Sequence, residues 1–173
     1  MLSQFVSRDI DGLESGALFS QDLRHRYLLW RTWDGSAPVL ALIMLNPSMS
    51  DHELTRQTLK RVVTLARDRG YGSVQVVNLY ALRTPHPRDL FRALDPVGDI
   101  EVLNALLVRT CHDAQHIVCA WGAHAKAQQR AAEVLTLMDA HDLRSKCRAL
   151  GLTQDGSPRH PLYVPGVAHL QQF

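Results

Sequence analysis

Apolar positions along the chain alternate between short unbroken runs and longer stretches with helical spacing. Residues 26–33 (RYLLWRTW) are rich in β-formers and stop at Asp34-Gly35, a turn signal. Residues 39–45 (VLALIML) follow as a nearly all-apolar run. This predicts an N-terminal edge strand hairpinned to a strand buried on both faces, the pattern of a parallel sheet covered by helices. After Asn46-Pro47-Ser48, the run Ser50-Asp51-His52-Glu53 reads as a capping box. Leu59, Val62, Val63 and Ala66 then recur at helical spacing up to Gly70, predicting a helix over 54–69.

The alternation continues. Residues 73–77 (SVQVV) read as the next strand, completing a βαβ unit of right-handed hand. Three prolines mark 84–96 as loop, and Asp99 is placed to cap a helix carrying Ile100, Leu103, Leu107 and Cys111 on one face. Residues 116–120 (HIVCA) predict a third strand. Trp121-Gly122 opens a helix with Ala127, Ala131, Val134, Leu135 and Met138 inward, and 146–150 (KCRAL) is a weaker fourth strand. Residues 1–25 show no sustained period and read as a leader packed over the domain, and the proline- and glycine-bearing tail 151–173 reads as loop. The expected architecture is one three-layer α/β/α domain over 1–173 with a central parallel four-stranded sheet.

Composition narrows the class without choosing a partner. At 173 residues and 46% hydrophobic, the chain suffices for one buried core. A formal charge of +2 permits nucleic acid but gives little drive for nonspecific binding to polyanions. Three widely spaced cysteines, Cys111, Cys119 and Cys147, suggest neither a disulfide framework nor a metal or cluster ligand set, so no metal and no cofactor is expected. No window approaches the apolar length of a membrane span, and the N-terminus has no secretory pattern. The expectation is a soluble, cytoplasmic monomer.

In open α/β sheets, ligands bind beyond the carboxyl ends of parallel strands, where loops converge. That rule selects four exits: Asn46-Pro47-Ser48, Asn78-Leu79-Tyr80, Trp121-Gly122-Ala123-His124 and the later His160-Pro161-Leu162-Tyr163. Each has a plain alternative. Asn46-Pro47 can be a strand-ending turn, Asn78 a loop anchor, Gly122 a strand-to-helix hinge and His160 an exposed loop histidine. Asp51 can cap the helix or hold a water as a general base. Arg56, Lys60 and Arg61 fall on the outward helix face, where charges are usually solvated.

The segments Leu45-Asn46-Pro47-Ser48, Val77-Asn78-Leu79-Tyr80, Ala120-Trp121-Gly122 and His160-Pro161-Leu162-Tyr163 resemble, in that order, a family of bacterial and phage proteins catalogued only as a domain of unknown function. The likeness spans roughly 25–165. More distantly the same order is similar to the uracil-DNA glycosylase superfamily. That resemblance implies Asn46 at the position of the catalytic Asp or Asn, and His160 as the histidine that stabilises charge on the departing base. It also implies Asn78 and Tyr80 in the base pocket, and Ser48 and the backbone near Gly122 and His124 facing phosphates. The glycosylase pattern places Ser or another small residue before a helix that wedges the DNA, whereas this chain has Leu162-Tyr163-Val164-Pro165, so the wedge is either lost or filled by Leu162 and Tyr163. Related sequences carry an acidic pair and a proline where this chain has Thr55-Arg56-Gln57-Thr58.

The resemblance implies flipping of a target nucleotide out of the DNA stack and cleavage of its N-glycosidic bond. An amide is a poor general base, so the chemistry is expected to be slow, assisted by Asp51, or directed to a damaged or modified base that leaves readily. Two other classes stay open: a nucleotide- or nucleic-acid-binding module without catalysis, and an N-glycosidase acting on free nucleotides.

Overall fold

A computed structural model describes residues 2–8, 14–48, 54–165 and 168–173, with the side chains of 5–8 and 54–56 outside the description. The capping box at 50–53, and Asp51 with it, lies outside the described residues. The strands are β1 (Leu2–Arg8), β2 (Glu14–Ser20), β3 (Arg26–Thr32), β4 (Val39–Met44), β5 (Ser73–Asn78), β6 (His116–Cys119), β7 (Cys147–Ala149) and β8 (Gln171–Gln172). The helices are α1 (Leu54–Arg67), α2 (Pro87–Leu90), α3 (Ile100–Asp113) and α4 (Gln128–Ala140), with 3-10 turns at Ala125–Ala127, Arg144–Lys146 and Pro161–Tyr163.

The protein is α/β, but the sheet is larger and more mixed than the four parallel strands expected. Eight strands lie in the order β1-β2-β3-β5-β4-β6-β7-β8. The ladders β5-β4, β4-β6 and β6-β7 are parallel, and the other four are antiparallel. Nor is β3 an edge strand hairpinned to β4. It pairs antiparallel with β5, Leu29 opposite Val76, and β5 lies between β3 and β4. The cause is local: after β3, the backbone N–H groups of Trp33 and Asp34 both donate to Gly72 O, seating the Asp34 turn on the entry to β5. A Cβ at Gly72 would stand 1.9 Å from Asp34 O, so a side chain there would block that seat.

Residues 1–25 are likewise more than a leader, because β1 and β2 form an antiparallel pair extending the sheet. Ser15, Ala17 and Phe19 of β2 are buried at a strand's period of two, but the set is short and begins with a serine, and Gly16 on the opposite face is buried as well. A Cβ on Gly16 would meet the Trp30 ring of β3 at 1.9 Å, so an aromatic ring from the next strand lies where a side chain would stand. In the tail, the 3-10 turn at Pro161–Tyr163 and β8 interrupt the expected loop.

The pleat sorts the strand residues between two cores. Leu40, Leu42, Val74, Val76 and Val118 join Val62, Leu65 and Ala66 of α1. Ala41, Ile43, Val77, Ile117 and Cys119 join residues of α3 and α4 on the other face. Helices therefore cover both faces, and each fully buried Leu or Ile of β4 stabilises by about 1.5–3 kcal/mol relative to exposure. Asp99 caps α3 as expected, its carboxylate accepting from Glu101 N and Val102 N at 3.1 Å. Leu103, Leu107 and Cys111 are buried, whereas Ile100 is exposed. Trp121-Gly122 does not open a helix: Gly122 has φ +81, outside the right-handed region, and α4 begins only at Gln128. All three cysteines are free and buried, and burial pushes the Cys111 thiol up to about 12. No described helix is long and apolar enough to cross a membrane.

Candidate functional site

In register, Met44 at the end of β4 stands beside Asn78 at the end of β5. Met44, Val76 and Asn78 share the α1 face by strand parity, and the chain beyond β4 brings Asn46 and Ser48 to the same side. Opposite them comes the 3-10 turn Pro161–Tyr163, preceded by His160. Between these elements lies a cleft of about 330 Å3 whose polar lining includes Arg26, Asn46, Ser48, Asn78 and His160. Leu162 and Tyr163 line it too, exposed to 37% and 77%. The cleft thus gathers six of the residues chosen from the sequence: Asn46, Ser48, Asn78, His160, Leu162 and Tyr163.

Their hydrogen bonds give them different chemical capacities. Asn46 Nδ2 donates to Pro47 O and Thr84 O, each at 3.0 Å, and at 3.5 Å to Leu82 O. Three carbonyl partners fix which end of the amide is nitrogen. The donor half of Asn46 therefore braces the β4 exit against the chain beyond β5, and only its carbonyl oxygen is left to act, as an acceptor. Pro47 is buried and contributes through its carbonyl, which also accepts from Thr84 N at 2.9 Å.

Asn78 is the contrasting case. It is 2% exposed, and among the described residues its carboxamide makes no hydrogen bond. Its amide nitrogen and oxygen reach the cleft rather than being sealed away from it. Lining the cleft, it offers a paired donor and acceptor to whatever enters.

His160 Nδ1 accepts from Leu162 N at 3.3 Å, capping the 3-10 turn. Burial pulls its pKa below the ordinary histidine value. The ring is accordingly neutral at neutral pH with its proton on Nε2, a single N–H donor. The segment carrying it is held in place from two sides: Gly122 N donates to Pro158 O at 2.9 Å, and the Arg61 guanidinium donates to Val164 O. Arg61 is thus a clasp between α1 and the tail, not a solvated charge.

Besides Pro47, five described residues predicted for the site lie outside the lining of the cleft. Gly122 does not line the cleft and acts on it through the Pro158 tether. Tyr80 belongs to the core under α3 and α4, its ring edge-on to Phe91 at 5.6 Å. Trp121 is 4% exposed in that core, against Phe173. His124 stacks on Phe91 at 4.3 Å on that side too. Buried Pro161 shapes the turn and lines a neighbouring groove beside α1. The sequence reading missed Arg26, 3% exposed at the start of β3, whose backbone N–H donates to Ala81 O. Its available signal was a charge lying between His25 and Tyr27, two residues that also prove buried. Thr58 of α1 and Pro85 were missed too, as were apolar lining residues such as Leu29, Met44 and Val76. Among the described lining residues there is no carboxylate.

Residues 26–162 match the family described as protein of unknown function (DUF1643). The chain belongs to that family. The DUF1643 match begins at Arg26 and ends at Leu162, both of which line the cleft, so it takes in every lining residue but Tyr163 and leaves out the β1–β2 hairpin. It also agrees with the span of the motifs that carried the resemblance to a domain of unknown function. No curated protein matches the chain.

Proposed function

We propose that this DUF1643 protein is a DNA-glycosylase-like hydrolase whose cleft receives a flipped, damaged or modified base and cleaves its N-glycosidic bond. The observation that carries the reading is Asn78: a buried carboxamide with no partner among the described residues, in the same cleft as the neutral His160. A volume of about 330 Å3 falls at the lower end of the range for small-ligand sites. In this reading Asn78 pairs with the edge of the base, and the His160 Nε2–H donates to a base carbonyl where negative charge grows. The Asn46 carbonyl oxygen orients the attacking water. The oxygen of that water bonds to the anomeric carbon, the base departs with the electron pair of the broken bond, and the proton released by water ends on the base. The order of motifs resembles the uracil-DNA glycosylase superfamily, which supports the same assignment.

A non-catalytic nucleotide-binding module of this fold is the second reading, favoured by the absence of a carboxylate among the described lining residues. Base release measured across a panel of oligonucleotides carrying damaged and hypermodified bases separates the two. The glycosylase reading expects abasic sites from the wild type and a fall of about 10²–10³-fold in rate for His160→Gln, the scale of losing one charge-stabilising donor. Binding with no abasic product on any substrate favours the module.

A further inference from the structure

Most arginines outside the cleft have internal work. Arg61, Arg69, Arg130, Arg148 and Arg159 each donate to a backbone carbonyl. Arg88, Arg92 and Lys126 do not: all three are exposed, and none makes a side-chain hydrogen bond or ion pair among the described residues. Yet they converge. With Phe91 and His124 they line a second concavity of about 230 Å3. Asp89, the neighbouring acid on α2, is not part of that lining. Three uncompensated positive charges around one hollow repel one another and favour an anionic occupant.

The floor of this hollow is ordered. The Phe91 and His124 rings stack at 4.3 Å and 26°, and Tyr80 braces Phe91 from behind. His124 Nδ1 accepts from Lys126 N at 3.3 Å, which leaves Nε2–H as the ring's donor. The hollow also lies close to the cleft along the chain. Pro85 lines the cleft and Arg88 the hollow, so at most about 11 Å of extended chain separates these two residues. His124 reaches the hollow from beyond β6, so both sites use chain leaving the carboxyl ends of neighbouring parallel strands.

We infer that the hollow formed by Arg88, Phe91, Arg92, His124 and Lys126 seats the phosphodiester backbone of the polynucleotide strand whose nucleotide enters the cleft. This rests on the reading of the cleft as a nucleotide site. The bound group is recognised as a chain of phosphates by charge and hydrogen-bond donors, so contact here adds affinity and register but no base preference.

The test is an Arg88→Gln/Arg92→Gln/Lys126→Gln variant in the full chain, with Arg92→Gln alone as a milder companion. Binding of fluorescently labelled single-stranded and duplex DNA 20-mers is followed by anisotropy from 50 to 200 mM salt. Losing three phosphate contacts lowers the slope of log affinity against log salt by about 2.1 for single strands and about 2.7 for duplex. On single strands the wild type then loses roughly 20-fold more affinity than the variant across that range. The single variant lowers the slope by about 0.7 on single strands. An unchanged slope in a variant that melts like the wild type overturns the inference, as does a wild type that binds neither DNA. Base release combined with an unchanged slope overturns the docking surface alone and leaves the glycosylase reading standing. A reduced slope in a protein that releases no base supports the docking surface while the glycosylase reading fails.

Discussion

On the α1 face of the sheet, the strand ends carry Met44, Val76 and Asn78 to an open cleft closed over by a tail segment, and polar groups there keep unused hydrogen-bonding capacity. On the α3 and α4 face, the same strand ends carry Ile43, Val77, Tyr80 and Trp121 into a packed interior. Even the polar groups of that interior are occupied: Arg130, 7% exposed, bonds Leu79 O at 3.0 Å and Asn104 Oδ1 at 2.6 Å. The difference teaches that reaching a sheet edge does not make a residue part of a site. Two helices bury the strand ends on their face, whereas α1 alone leaves the strand ends of the other face open to a cleft.

The sharpest challenge to this contrast is Trp121→Ala. If Trp121 is core, the loss is about 3–5 kcal/mol in urea unfolding, and ligand affinity of the remaining folded protein is unchanged. A stable Trp121→Ala protein with impaired binding would move Trp121 into the site. Gly122→Ala comes next. The position has open space around it but φ +81, so backbone strain alone acts, about 1–2 kcal/mol by thermal unfolding. Because the glycine tethers Pro158, the variant also shifts the pH dependence attached to His160.

That dependence has a definite sign. Burial holds the folded pKa of His160 below the unfolded value near 6.5, so in the interval between them the unfolded chain binds more protons. Stability is therefore unaffected above about pH 6.5 and declines as acid is added. Protonation of Nδ1 also removes the acceptor of Leu162 N. His116 is lowered in the same direction, so the measurement is the difference between wild type and His160→Gln, whose acid slope is shallower. The smallest expected effect on stability belongs to Asn78→Ala. With no hydrogen bond to lose, it changes unfolding free energy by under about 1 kcal/mol, while affinity for a nucleotide falls tenfold or more. Destabilisation above 2 kcal/mol in chemical unfolding would make Asn78 an anchor and dissolve the contrast between the faces.

Much of the architecture was legible. A nearly unbroken apolar run identified β4, the valines of SVQVV marked β5, helical spacing identified α1 and α3, and Asp99 marked the cap of α3, because these features reflect local burial and local hydrogen bonds. The β1–β2 hairpin was not, since the buried set of β2 is short and begins with a serine, while Gly16, buried beneath the Trp30 ring, has no side chain to mark its own face as apolar. Arg26 escaped for a related reason: a charge within an amphipathic run reads as solvent-facing until the tail and α1 are seen to enclose it.

The sequence by itself determined the strands β4, β5 and β6 and the helices α1 and α3, and brought Asn46, Asn78 and His160 to one edge, since apolar runs, strand ends and turn residues are local properties. Tertiary structure decided the rest. It inserted β5 between β3 and β4, because the Asp34 turn seats on Gly72. It directed Tyr80 and Trp121 into the core and Asn78 into the cleft, because the covering helices and the path of the chain beyond each strand determine which face stays open. It also occupied the nitrogen of Asn46 while leaving the carboxamide of Asn78 available, because hydrogen-bond partners far apart in sequence are chosen only when the chain is packed.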